Sequence, residues 1–202
     1  PCCGNVCGGC IYADTMRDDR RLCPFCRTPG HNSSKEYRER INKRAEANDP
    51  HAIYTLGLYY DGRMNYGSMG LPQNPKKANK LWLRAGKLGC VDAYRNIGSL
   101  LIDGRGVERD EKKAKYYWEL SAMGGDVVAR YNLGCLEGNA GNMNRAVKHS
   151  MIAAAAGYDA SLTAIRRCFL NGDATKDDFE KALRAHKEAT DEMKSEQREA
   201  AA

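Results

Sequence analysis

The chain has 202 residues, 42% hydrophobic and 29% charged, enough for one good core or two modest domains. Its formal charge of +6 is a mild excess spread among acidic neighbours, which favours solubility and marks out no specific nucleic-acid surface. The longest apolar run, around Met151 to Ala156, falls far short of the ~20 residues of a membrane span, and no secretory signal is visible, so an intracellular protein, cytoplasmic or nuclear, is expected.

Six of the nine cysteines lie in the first 26 residues. They form pairs: Cys2 with Cys3, Cys7 with Cys10, and Cys23 with Cys26, the last inside Leu22-Cys23-Pro24-Phe25-Cys26-Arg27. A CxxC pair suits zinc because a short turn lets two thiolates reach one ion at ~2.3 Å in tetrahedral geometry. Clustered pairs in a reducing compartment read as Zn2+ ligands and not as disulfides. One filled four-thiolate site would lower the formal charge of +6 to about +4. Read locally, Cys7, Cys10, Cys23 and Cys26 can build a single zinc ribbon.

The order of these pairs, and the Cys23-Pro24-Phe25-Cys26-Arg27 ending above all, resembles the C-terminal portion of a RING finger over residues 1–29. RING ions are bound cross-brace. Carried over, the resemblance implies that Cys2, Cys3, Cys23 and Cys26 complete the second zinc site. Cys7 and Cys10 then belong to an incomplete first site whose other ligands are expected upstream of Pro1. The chain departs from the family in placing adjacent cysteines where Cys-x-His is usual, and His31 is read as a surface residue. The same resemblance implies that Val6, Ile11 and Pro24 line or support a groove for a ubiquitin-conjugating enzyme, and that Arg27 stands where the family contacts ubiquitin.

Residues 30–48 are polar and read as a linker helix. Tyr37, Ile41 and Ala45, four apart, give it an apolar stripe, and Ser33 or Ser34 can cap its start. Its charges read as a solvated face.

The rest of the chain repeats. Ala52-Ile53-Tyr54-Thr55-Leu56-Gly57 returns at Ala93 to Gly98 and at Ala129 to Gly134, with glycines 41 and then 36 residues apart. A second phrase runs from Lys77-Ala78 through Trp82 and Ala85 to Gly89, from Lys113-Ala114 through Trp118 and Ala122 to Gly125, and from Arg145-Ala146 through Ala153 to Gly157. Each phrase has the spacing of a one-faced helix. Ala78, Ala114 and Ala146 mark places where helices approach closely, and Gly89, Gly125 and Gly157 suit helix C-termini. Asp103-Gly104-Arg105-Gly106-Val107 forms an inter-helix turn in the second unit. A shorter connection at Asn139–Asn142 replaces it in the third. The fourth unit is degenerate, with Ser161 and Arg166 at the Ala and Gly positions, and ends in an amphipathic helix from Asp177 to about Lys194.

These units resemble Sel1-like repeats, relatives of the tetratricopeptide class; the second keeps Gly98, Gly104, Gly106, Val107, Asp110, Lys113, Ala114, Trp118 and Gly125 of the family pattern. The expected fold is mainly α: an α-solenoid of helix pairs with a small, truncated RING-like zinc module at its N-terminus. Its units are 49–90, 91–126 and 127–159, followed by a degenerate repeat and capping helix over 160–202. The combination is similar to diatom proteins that carry both modules.

No other pattern suggests catalysis. His51, His149 and His186 are scattered, carboxylates fall in mixed-charge patterns, and Cys90, Cys135 and Cys168 read as buried thiols. Cys90 would have a lowered pKa if its thiol met a helix N-terminus. Tyr54, Tyr59, Tyr94, Tyr131 and the loop at 66–70 are candidates for binding or for inter-repeat packing, packing being the expected role. The resemblances imply a protein-interaction scaffold that in full-length form serves as a RING-type E3 ubiquitin ligase. The zinc module would recruit the conjugating enzyme and the repeats would bind a client, while the half RING of this stretch would be inactive alone. The alternative is a non-enzymatic Sel1-repeat adaptor with a purely structural zinc finger. The two ligand sets separate by metal content. The cross-brace arrangement predicts about one firmly held zinc, kept in Cys7→Ser and lost in Cys2→Ser, and the ribbon predicts the reverse.

Overall fold

The computed structural model describes residues 34–62 and 71–192. The zinc-ligand candidates Cys2, Cys3, Cys7, Cys10, Cys23 and Cys26 lie outside the described residues. So do Val6, Ile11, Pro24, Arg27, His31 and the loop at 66–70. The described residues are helical throughout apart from short connections. The helices are α1 (Ser34–Glu46), α2 (Pro50–Asp61), α3 (Pro75–Lys87), α4 (Val91–Asp103), α5 (Glu111–Met123), α6 (Val127–Asn139), α7 (Met143–Ala155), α8 (Asp159–Leu170) and α9 (Lys176–Glu192). Each packs on the next in chain order, and α9 also packs on α7. Four helix pairs stacked this way form the α-solenoid that the repeat pattern predicts.

Local chemistry fixes where the helices begin. Asp49, Asn74, Asp110 and Asp126 each accept backbone N–H bonds from the first turn of α2, α3, α5 and α6, and Pro50 and Pro75 start their helices with φ already set. The link from one pair to the next is also built in backbone. At the end of α3, Gly89 takes φ +94°, its N–H donates to the Gly86 carbonyl, and the Cys90 N–H donates to the Ala85 carbonyl. This pair of hydrogen bonds closes the helix and turns the chain into α4, and the left-handed φ is the reason for glycine. Gly125 and Gly157 repeat the same two bonds at the ends of α5 and α7.

Inside each of the first three pairs, the second helix lies against a glycine of the first. Trp82 of α3 is fully buried, and its indole N–H donates to the Tyr54 carbonyl of α2 at 3.2 Å. Trp118 of α5 does the same to Arg95 of α4 at 3.1 Å. A Cβ on Gly57 would overlap the Trp82 ring, and one on Gly98 would come within 2.5 Å of the Trp118 ring. Ala78 and Ala114 sit completely buried one turn before each tryptophan. In the third pair Ser150 occupies the tryptophan position. In the fourth, Phe169 and Phe179 stack with centroids 5.3 Å apart and replace the small-residue approach. In α1, Ile41 and Ala45 are buried against the first pair, with Tyr37 beside them.

Replacing glycine by alanine inside a helix gains about 1 kcal/mol where there is room. Gly57→Ala and Gly98→Ala are expected to lose about 2 kcal/mol net, because a buried indole must move. Gly134→Ala, whose Cβ would meet the Ser150 hydroxyl at 3.1 Å and the Ala146 carbonyl oxygen at 3.2 Å, should lose less, since no buried ring has to move. Urea unfolding of the three variants checks the order.

Candidate functional site

Among the described residues, no group of three or more His, Cys, Asp or Glu is placed to hold a metal ion. The histidines stay apart: His51 is exposed on α2, His149 is half-buried on α7, and His186 on α9 meets Asp159 at 2.9 Å. Burial, and then the nearby Arg130 guanidinium, push the His149 pKa down. Cys90 precedes α4, but its side chain makes no capping bond, and burial pushes the thiol up, opposite to the activated state that a helix N-terminus would give. Cys168 is buried as expected. Cys135 differs, being only half-buried on α6. The tyrosines pack. Tyr54 accepts a bond from the Asn96 amide at 3.2 Å, Tyr94 stacks on Tyr117, Tyr131 meets Tyr158 edge-on, and Tyr59 meets Tyr37.

The polar features with structure behind them lie between repeats. Asp61, at the end of α2, is 0% exposed, and the Arg105 guanidinium from the loop of the next repeat donates to both of its oxygens at 2.9 and 2.8 Å. Arg95 of α4 reaches Asp126, the cap of α6, at 2.7 Å. Lys115 of α5 donates to the buried Glu137 of α6 at 2.5 Å, and the Asn142 amide donates to the same carboxylate at 2.9 Å. These pairs span 44, 31 and 22 positions of sequence, so no local motif announces them.

Beside the last pair a groove of about 580 Å³ opens between the second and third helix pairs. Ile102, Trp118 and Leu136 give it an apolar floor. Arg109, Glu111, Lys112 and Lys115 form one wall, with Asn132 and Asn139 opposite. Cys135 stands at its edge, which accounts for its partial exposure. The arrangement offers contacts to a bound chain but no nucleophile with a general base beside it.

The Sel1 repeat family model matches residues 50–90, 91–126, 127–158 and 162–184. The chain belongs to the Sel1 repeat family. Solved structures with the same fold include a Sel1 repeat protein from Oxalobacter formigenes, 22% identical, at TM-score 0.62 over 80% of this chain and 66% of that one. A protective antigen of uropathogenic Escherichia coli with an SLR fold is 19% identical at TM-score 0.59, over 96% of this chain and 42% of that one. An immunity protein from Pseudomonas aeruginosa is 15% identical at TM-score 0.51, over 90% and 65%. The chain thus spans about two fifths to two thirds of the length of these proteins, and at such identity they share its fold alone. The curated proteins contain no match. No described helix of this Sel1 repeat chain is long and apolar enough to cross a membrane.

The Lys115 bond, against the cost of burial, and the further bond from Asn142 hold the Glu137 carboxyl below its ordinary value of 4.5. A depressed native pKa contributes stability that is complete above the unfolded value and is lost as pH falls through the native one. Between pH 6 and 3 the melting temperature of the wild type is therefore expected to fall further than that of Glu137→Gln, which lacks this titration. Thermal melts across that range measure the difference.

Proposed function

We propose that this chain is a non-enzymatic scaffold for protein partners, which it holds on the surface of its stacked helix pairs. The observation that carries this reading is the groove between the second and third pairs: apolar at its floor, charged and amide-bearing at its rim, and without a catalytic constellation. A solenoid suits such work because each added pair extends one continuous surface while its fold depends only on neighbours.

The cysteine-rich stretch gives a second reading its one specific support, the Cys23-Pro24-Phe25-Cys26-Arg27 string. In that reading the complete protein is a RING-type ubiquitin ligase. Cys2, Cys3, Cys23 and Cys26 would hold one zinc, and Cys7 and Cys10 half of another. The donor set fits zinc, since four thiolates in short-spaced pairs satisfy its preference for soft tetrahedral ligands. Val6, Ile11, Pro24 and Arg27 would then face the conjugating enzyme and its ubiquitin. The metal would supply folding energy to the module, and the repeats would select the client. The scaffold reading has the stronger support, because it draws on the whole helical array.

Photo-cross-linking groups placed one at a time on exposed positions around α4 to α7 test the scaffold reading in extract of the source cells. Cross-links to defined proteins, confined to one face and competed by the unlabelled chain, are expected. Uniform or uncompeted labelling would overturn it. A ubiquitin-transfer assay on the complete protein addresses the second reading, with zinc-dependent chains that disappear in Cys23→Ser as its expected result.

A further inference from the structure

The second and third repeats differ in the loop that joins their two helices, and the groove is the consequence. In the second repeat that loop reaches back over the first. Arg105 binds Asp61, Val107 packs on the apolar cluster shared by the first two repeats, and Gly106, at φ +67°, lies so close to the start of α3 that a Cβ would fall 2.7 Å from the Pro75 Cβ. The third repeat has only Ala140 to Asn142 in this place. Their bonds stay at home: the Asn142 N–H and side-chain amide both bond to Glu137. Ile102 and Glu111, which stand in the second repeat where Asp61 and Pro75 stand in the first, therefore line the groove, Ile102 half-buried and Glu111 exposed.

We propose that an extended acidic segment of a partner protein occupies this groove, in the position over the second repeat that the Arg105–Val107 loop takes over the first. The inference deepens the scaffold reading and rests on it. Charge selects the occupant. Arg109 is shared with Glu111 at 2.6 Å and Lys115 with Glu137, while Lys112 has no carboxylate partner among the described residues. Three cations against two carboxylates leave the wall positive, and a second copy of this chain, itself at +6, is a poor match for it. The Asn132 and Asn139 amides make no hydrogen bond among the described residues, and each can both donate to and accept from a peptide unit. Ile102, Trp118 and Leu136 offer apolar contact along the groove.

The test uses the full chain and a set of ten-residue, terminally blocked, fluorescent peptides with a Gly-Val core flanked by glutamate and aspartate. A lysine-flanked set and a single-stranded decanucleotide serve as controls. Saturable binding of acidic members by fluorescence anisotropy is expected, with NMR amide shifts centred on Asn132, Leu136 and Asn139. Lys112→Glu should weaken binding about tenfold. It sits on an exposed first helical turn, where an acid is favourable, so the fold should persist and an unchanged melting temperature checks this. The proposal is overturned if no acidic peptide binds, if Lys112→Glu binds equally, if the shifts map elsewhere, or if the oligonucleotide binds as well as the peptides. In each of those cases specific, competed cross-links to proteins would leave the scaffold reading standing, whereas their absence would remove both.

Discussion

Trp82 and Trp118 can donate to a main-chain carbonyl of the preceding helix only because Gly57 and Gly98 have no side chain in the way. An indole that must be buried needs a partner for its N–H, and here the partner lies in the backbone of a neighbouring helix. This sets the distance and rotation between the two helices of a pair, since a shift that separated ring from glycine would also break the bond. The glycines that end α3, α5 and α7 then shape the step to the next pair through backbone bonds.

Charge works on the same lattice with a different logic. Asp61 is wholly buried and receives a guanidinium from the following repeat, so the charge of the first unit is tied to the second. Removing one partner from such a pair generally costs far more than the pair contributes against an apolar replacement. At the next junction the cation comes from helix α5 and the carboxylate from α6. The link no longer needs a long loop, and the shorter connection leaves room that the first junction does not have.

Much of the helical array was legible in the sequence. Ala, Leu or Ile, and Gly at fixed spacing, with Trp82 and Trp118 in step, are packing constraints that recur because the geometry recurs. The helix ends were legible for a similar reason, since a left-handed turn admits few residues other than glycine. The ion pairs were hidden, because Asp61 and Arg105 stand 44 positions apart and belong to different repeats. The groove was hidden for another reason: it arises from loop residues that the third repeat lacks, and a missing contact leaves no motif. Cys135 was read as a buried thiol because its helical phrase is apolar, while its actual exposure follows from that vacant loop position. Cys90 shows the limit of position alone, for a residue at a helix start gains no activation when its thiol is turned into the core. The cysteine-rich stretch of residues 1–29 remains as the sequence presents it, a set of thiol pairs whose grouping depends on metal chemistry.

The way the apolar core divides along the array has a consequence for cooperativity. One continuous apolar cluster extends from Ile41 to Ala114, whereas beyond it the core divides into smaller groups around Trp118, Val147 and Ile165. In a linear array, unfolding propagates from neighbour to neighbour and pauses where coupling is greatest. The first division falls within α5, between Ala114 and Trp118, so the C-terminal pairs form the less tightly coupled end of the array. The groove lies across that divide.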